Sequence, residues 1–301
     1  MLNTPITVLV VLVGVVAVNA FFFFVYYSPR TSAPIRDAVL VGAGDIAGCA
    51  SSGDEATAKL LADISGTVYT TGDNAYESGA PSEFSECYVP TWGRYKARTR
   101  PSVGNHDYLT PEASGYFGYF GSAAGDPKKG YYSYDLGGWH IVSLNSMCWH
   151  VGGCGPTSPM VSWLKEDLAA NPKPCTLAYW HDPLFSSGYH GSAPRMKPSW
   201  DALYATNAEV VLNGHDHDYE RFAPQSPSGA ADDERGIREF VVGTGGRELR
   251  PFRTTIEAHS EVRNAHTFGV LKLTLHADGY DWKFVPVAGK TFTDSGTGFC
   301  H

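Results

Sequence analysis

Short apolar runs that stop at Gly, Asp, Asn or His recur along this chain. AVLVGAGD (38–45), TVYTTGD (67–73), RPSVGNHD (100–107), CTLAYWHD (175–182) and AEVVLNGHDHD (208–218) all follow the pattern. Runs of this length, rich in apolar and β-branched residues and bounded by turn formers, predict buried strands. Helical periodicity lies between them. SGDEATAKLLADI (52–64) begins with Ser52 three residues before Glu55, the signature of a capping box. SPMVSWLKEDLAAN (158–171) places Ser158 and Pro159 at the cap and first-turn positions, and KPSWDALYAT (197–206) is a third helix. This alternation predicts an α/β architecture with a largely parallel central sheet. Further on the pattern changes. KGYYSYDLGGWHIVSLNS (129–146) predicts a hairpin turning at Gly137-Gly138, and REFVVGTGG, TFGVLKLTLH and YDWKFVPV add strands with few helices between them. The expectation is two packed sheets with helices outside.

One stretch stands apart. ITVLVVLVGVVAVNAFFFFVYY (6–27) has Asn19 as its only strongly polar residue and is long enough to cross a bilayer as a helix. It reads as an uncleaved anchor or as a signal peptide cleaved after VNA, and in either case it contacts membrane at least transiently. No Lys or Arg precedes it, and Ser28–Arg36 read as a linker. The chain therefore divides into a hydrophobic head with its linker (1–36) and one large domain (37–301).

Of the 301 residues 43% are hydrophobic and 18% charged, which is enough apolar material for a large core. A net charge of −8 with no basic stripe argues against binding a nucleic-acid backbone. All six cysteines (Cys49, Cys87, Cys148, Cys154, Cys175, Cys300) follow the head, with no CxxC pair. An even set behind an export-like segment predicts disulfides and an oxidising compartment, and Cys148 and Cys154 are near enough to staple one loop. Arg30 and Arg36 after the head point towards a cytoplasmic body, but the cysteines outweigh them. The expected location is extracytoplasmic, secreted or anchored through residues 6–27.

The strand ends carry the chemistry. In order they offer Asp45, then Asp73 with Tyr76, then Asn105 with His106, then His181, then His215 and His217. One such residue is an ordinary turn or cap. Five successive strand ends with oxygen or nitrogen ligands, at the edge where open α/β sheets place their sites, predict a metal centre. Two cations held close together need a bridging oxygen, and Asp73, in the middle of the set, suits that role. Three imidazoles suit zinc, iron and similar metals and exclude a simple calcium or magnesium cage.

The series GDIAG, GDNAY, GNHD, YWHD and GHDHDYER resembles the calcineurin-like metallophosphoesterases, and among them the purple acid phosphatases; VVGTGG (241–246) extends the resemblance. It implies a four-layer α/β/β/α sandwich, two mixed β-sheets flanked by helices. It also implies that Asp45, Asp73, Tyr76 and His217 bind a first metal and Asp73, Asn105, His181 and His215 a second. His106 would contact the phosphate and help protonate the leaving group, and His190 would be a further catalytic histidine. The wider superfamily has a histidine where this chain has Ala47, and Tyr76 stands where a replacement ligand is needed. A phenolate favours Fe(III) at the first site, with divalent Fe, Zn or Mn at the second. Two departures are visible: GDIAG is not a tighter Gly-Asp-x-Gly, and the paired histidines of the plant enzymes are reduced here to His190-Gly191.

The implied reaction is hydrolysis of small phosphate monoesters by a metal-bound hydroxide. A phosphodiesterase or nucleotide pyrophosphatase on the same metal core is the nearest alternative, and a non-catalytic binding module the other. The loops expected to choose the substrate, Tyr108–Lys129 and Ser186–Lys197, carry aromatic residues with Lys128, Lys129, Arg195 and Lys197. His140, His150, His259, His266 and His276 match no motif and read as surface or structural.

Overall fold

The computed structural model describes residues 37–301. The head at 6–27 and its linker lie outside the described residues; among these, no helix is long and apolar enough to cross a membrane.

Fifteen strands follow in order: β1 (Ala38–Ala43), β2 (Ala47–Gly48), β3 (Thr67–Thr71), β4 (Ala75–Tyr76), β5 (Thr99–Ser102), β6 (Tyr132–Leu136), β7 (Trp139–Ser143), β8 (Cys175–Tyr179), β9 (Val210–Asn213), β10 (Tyr219–Phe222), β11 (Arg238–Val242), β12 (Ser260–Asn264), β13 (Gly269–Leu275), β14 (Gly279–Pro286) and β15 (Ser295–Phe299). They form two large mixed sheets and one small ladder. The first sheet runs β15-β14-β13-β1-β3-β5 and the second β12-β10-β11-β9-β8-β7-β6. Each has a parallel centre, β1, β3 and β5 in one and β7, β8, β9 and β11 in the other, extended by antiparallel strands. The parallel part matches the α/β reading of the first half of the chain, and the antiparallel flanks supply the later strands. The predicted hairpin is β6–β7, with Gly137 in the left-handed region at its turn.

Alternation along β9 explains the layers. Val210 and Leu212 point into the core between the sheets, with Leu40, Tyr69, Ile141, Leu177, Phe240, Leu271 and Phe284. Val211 points the other way, into a second core with Val142, Ala178 and Trp180. The helices Pro159–Ala170 and Lys197–Ala205 cover that outer face with Met160, Leu164, Trp200 and Leu203. The two-residue period places successive side chains in different cores, so a one-residue slip would exchange them.

Ser158 caps its helix as expected, accepting from the Val161 N–H. The capping box at Ser52 does not form. Ser51 instead accepts from Gly53 N–H at 3.0 Å while donating to Gly246 O at 2.6 Å, and Glu55 turns to Arg94 and Lys59. The helix Gly53–Asp63 is thus started by a tertiary contact with the Gly245-Gly246 turn. All six cysteines are paired, Cys49–Cys87, Cys148–Cys154 and Cys175–Cys300, so the expected loop staple is present.

Candidate metal centre

The parallel strands of both sheets end on one edge, and the turns that follow them carry the predicted ligands. Asp45 follows β1, Asp73 follows β3, Asn105 and His106 follow β5, His181 follows β8, and His215 and His217 follow β9. The first two turns are zipped together by their backbones: Asp45, Ile46 and Ala47 N–H donate to the carbonyls of Gly72, Asp73 and Asn74. The β2–β4 ladder continues the pairing and sets Ala47 beside Ala75 and Gly48 beside Tyr76. Asp45, Asp73 and His215 adopt positive φ values of 58°, 49° and 70°, uncommon for residues other than glycine. Such strain persists where surroundings over-determine it, as at functional sites. Glycine is required where loops close on these carboxylates. A Cβ at Gly104 would lie 2.2 Å from Asp73 Oδ1, and one at Gly214 would lie 2.6 Å from Asp45 Oδ2.

Each buried carboxylate has one oxygen held and one presented. Asp73 Oδ1 accepts from His106 N–H and Asp45 Oδ2 from His215 N–H, both at 2.8 Å. The other oxygens meet the Tyr76 hydroxyl, Asp45 Oδ1 at 2.8 Å and Asp73 Oδ2 at 3.0 Å, with His217 Nε2 at 3.3 Å. Asp73 Oδ2 also lies 3.3 Å from His181 Nε2. His181 Nε2 in turn lies 2.9 Å from Asn105 Oδ1 and 3.2 Å from His215 Nδ1.

These contacts contain too few protons. Carbonyl and carboxylate oxygens only accept, so each histidine nitrogen facing one carries the hydrogen. His181 Nδ1 donates to Thr71 O at 2.8 Å and His217 Nδ1 to Glu248 O at 2.7 Å, while His215 Nε2 faces Asp182 Oδ1 at 3.5 Å. In the neutral rings that these outer contacts select, the inward nitrogens are acceptors. His181 Nε2 meets three lone-pair atoms, and the single proton of Tyr76 meets three acceptors. Asp45, Asp73 and His181 alone bring ligand atoms within 4.8 Å of one another. Protonation partly fills the shortage. Burial works against the imidazolium of His181, yet Asp73 outweighs it and pushes the pKa up to about 10. Burial, with Asp45 and Asp73 alongside, pushes the Tyr76 phenol well above its usual value. Oxygen and imidazole donors that converge with fewer protons than acceptors fit metal cations, and the outer carbonyls and carboxylate orient the rings as supporting groups of metal sites do.

A family model for calcineurin-like phosphoesterases matches residues 37–219. The chain belongs to that family. Among curated relatives, Purple acid phosphatase 15 of Arabidopsis thaliana is 30% identical over 189 residues, covering 54% of this chain and 35% of that protein. Purple acid phosphatase 22 of the same plant is 23% identical over 251 residues, covering 74% of this chain and 53% of that protein. The chain spans about a third to a half of the length of these relatives. Two solved structures share the fold. The purple acid phosphatase PPD1 from yellow lupin matches with a TM-score of 0.67 at 18% identity, over 87% of this chain and 53% of that one. GAP50 of Plasmodium matches at 0.68 and 13% identity, over 88% of this chain and 89% of that one.

In this member of the family every residue singled out from the strand ends meets at one edge. His106 lies at the rim, with Nδ1 2.5 Å from Glu77 O and its ring 4.5 Å from the Tyr76 ring. His190 arrives from the loop after β8, its ring 4.4 Å from that of His215. The other histidines stand elsewhere: His140 is buried between Asp135 and Asp167, His150 stacks on Tyr108, and His276 lies between Asp37 and Asp281.

Several supporting residues do not stand out in the sequence. Asp107 accepts from Gly104 N–H at 2.9 Å and Asn74 Nδ2 at 3.1 Å, binding the GNHD turn to the GDN turn. Asp216 accepts from the N–H groups of His190 and Gly191, and Glu220 and Glu239 accept from Ser187, Leu184 and Phe185. These buried carboxylates fix the loop that carries His190. The alternation of acids with histidines in GHDHDYE was the available signal. Arg247 and Arg250, which follow GTGG, gave none.

Proposed function

We propose that this chain hydrolyses phosphate monoesters at a centre of two metal ions. The supporting observation is the position of Asp73 Oδ2, between the Asp45/Tyr76/His217 donors and the Asn105/His181/His215 donors. Asp45, Asp73, Tyr76 and His217 would hold the first ion, an Fe(III). Asp73, Asn105, His181 and His215 would hold the second, a divalent Fe, Zn or Mn. When bound, the ions supply Lewis acidity towards the phosphoryl oxygens and lower the pKa of water.

The remaining roles belong to the chain. His106 Nδ1–H is engaged by Glu77 O, so Nε2 faces the cluster, 4.0 Å from Asp73 Oδ2, where it can carry a proton to the departing oxygen. Arg250 Nη1 donates to His190 Nε2 at 3.0 Å, which leaves the His190 proton on Nδ1. Burial and the neighbouring His215 push His190 down to about 4, so it acts as a neutral hydrogen-bond donor to the phosphoryl group. Asp216 holds its backbone in place.

The fold alone does not decide between enzyme and scaffold, since GAP50 is described as the anchor in the inner membrane complex. The filled donor set favours the enzyme. Three disulfides favour an extracytoplasmic location. The test is a substrate panel on metal-loaded protein. 4-Nitrophenyl phosphate should be hydrolysed with a higher kcat/KM than bis(4-nitrophenyl) phosphate. The reverse order would make the chain a diesterase, and no turnover of either would reject the reading.

A further inference from the structure

β5 is the last strand of one large sheet and β6 the last strand of the other, and the two edges meet where Tyr132 OH donates to Pro101 O at 2.8 Å. The edges differ in what they leave open. The carbonyls of β5 are covered by hydroxyls: Arg100 O accepts from Tyr179 at 3.0 Å, and Pro101 O from Tyr116 as well as Tyr132. Pro101 has no N–H to offer, as suits a closed edge. β6 pairs with β7 on one side, and on its other side the backbone has no hydrogen bond among the described residues. An edge left open in this way is a template for a further strand.

A groove of about 870 Å³ runs beside that edge, lined by Arg94, Lys96, Arg100, Phe120, Tyr132 and Tyr134 among others. Its charge is of one sign. No carboxylate lines it, although the whole chain carries a net charge of −8. Arg94 pairs with Glu55, whereas Lys96 and Arg100 have no carboxylate partner among the described residues. They lie instead over aromatic rings, Lys96 Nζ 4.3 Å from the Tyr119 centroid and the Arg100 guanidinium 5.8 Å from that of Tyr134.

We propose that this groove binds an extended acidic segment of a partner protein, which joins β6 as an added strand and sets its carboxylates against Lys96 and Arg100. Two observations select this occupant. The open edge presents N–H and C=O groups at strand spacing, which an extended peptide matches and a polysaccharide does not. The unpaired cations select acidic side chains through charge-assisted hydrogen bonds. The same cations argue against a second copy of this chain, because pairing two β6 edges would bring like charges together. Alternate side chains of an added strand face the same way, so acids at every second position fit the groove. None of the lining residues belongs to the metal centre, so a bound segment docks the protein without occupying the site of hydrolysis.

Fluorescence anisotropy of a labelled peptide of alternating Glu and Thr, titrated with the full chain, tests this. The peptide should bind at least about tenfold more tightly than its counterpart with Lys in place of Glu, as expected from charge complementarity. Lys96→Ala/Arg100→Gln should weaken binding by about tenfold while the circular dichroism spectrum stays that of the wild type. Lys96→Glu, a change at an exposed position that leaves Arg100 in place, should weaken it by a similar factor. N-methylation of alternate amides in the peptide should do the same, since a methylated amide cannot donate to the ladder. Equal binding of the two peptides, no binding of either, or an affinity unchanged by these substitutions would overturn the proposal. Binding that is insensitive to N-methylation would make the groove a site for any polyanion, and a dimer of the chain that the peptide dissociates would make a second copy its occupant. Either result would also overturn it.

Discussion

The Tyr76 hydroxyl lies 2.8 Å from Asp45 Oδ1, although the two residues belong to different strand ends. The backbone zipper between their turns makes the contact, because it sets residue 47 next to residue 75 and leaves Tyr76 to reach the carboxylates. With alanine at 47, no side chain from the first turn competes for that space.

Replacement of Tyr76 by Phe should keep the fold of metal-loaded protein, since the ring stays in its buried slot and the cations meet the carboxylates that the hydroxyl contacts. Protein that is coloured by a tyrosinate–Fe(III) band should become colourless and hold less iron. Visible absorption together with iron analysis checks this, and an unchanged band would assign it elsewhere.

Asp182 faces His215 Nε2 and pairs with Arg195 at 2.5 Å, and it touches no inferred metal position. Asp182→Asn should therefore leave the fold intact and weaken one metal by roughly 10- to 100-fold, the usual effect of losing an orienting carboxylate. Competition with a chelator of known affinity measures it.

Glu209 lies far from this chemistry and is 2% exposed. Burial pushes its pKa up to about 8, against the opposing hydrogen bond from Thr176 N–H. The folded protein therefore binds a proton that the unfolded chain releases near pH 4.5, and stability falls as the pH rises from there to about 8. Glu209→Gln retains an acceptor for Thr176 and has no charge to bury. Its melting temperature should match the wild type at pH 4 and exceed it at pH 8.5, by the shift that a stability gain on the order of a few kcal/mol produces. An advantage independent of pH would contradict this assignment.

The Cys175–Cys300 bridge joins β8 to the end of the described chain across a sequence separation of 125. Cys175→Ser/Cys300→Ser should cost roughly 2–5 kcal/mol of stability, as for native bridges closing long loops. Denaturant titration reads the change. The Cys148→Ser/Cys154→Ser pair, separated by 6, should cost less.

The legible parts of this molecule were those governed by local pattern. Apolar runs ending in Asp, Asn and His marked the parallel strands and their ligand-bearing turns, because strand period and turn chemistry are written over a few adjacent residues. Ser158 announced its helix for the same reason. Ser52 misled because the hydroxyl that serves that helix start belongs to Ser51, and its position is set by Gly246, 195 residues away. Arg247 and Arg250 were silent because arginines in an irregular loop have no periodicity, and only folding carries them to Tyr76 and His190. Tyr76 was intermediate. Its spacing alone fitted packing as well as ligation, and Ala47 made the second reading the stronger one.

The central claim is that two cations share Asp73. Elemental analysis of the purified protein, set against 4-nitrophenyl phosphate hydrolysis by the same preparation, tests it most directly when repeated on Asp73→Asn. The account predicts two metal ions per wild-type chain, one of them iron, and fewer metals with hydrolysis reduced to near background in the variant. Full activity of Asp73→Asn with an unchanged metal content would contradict it.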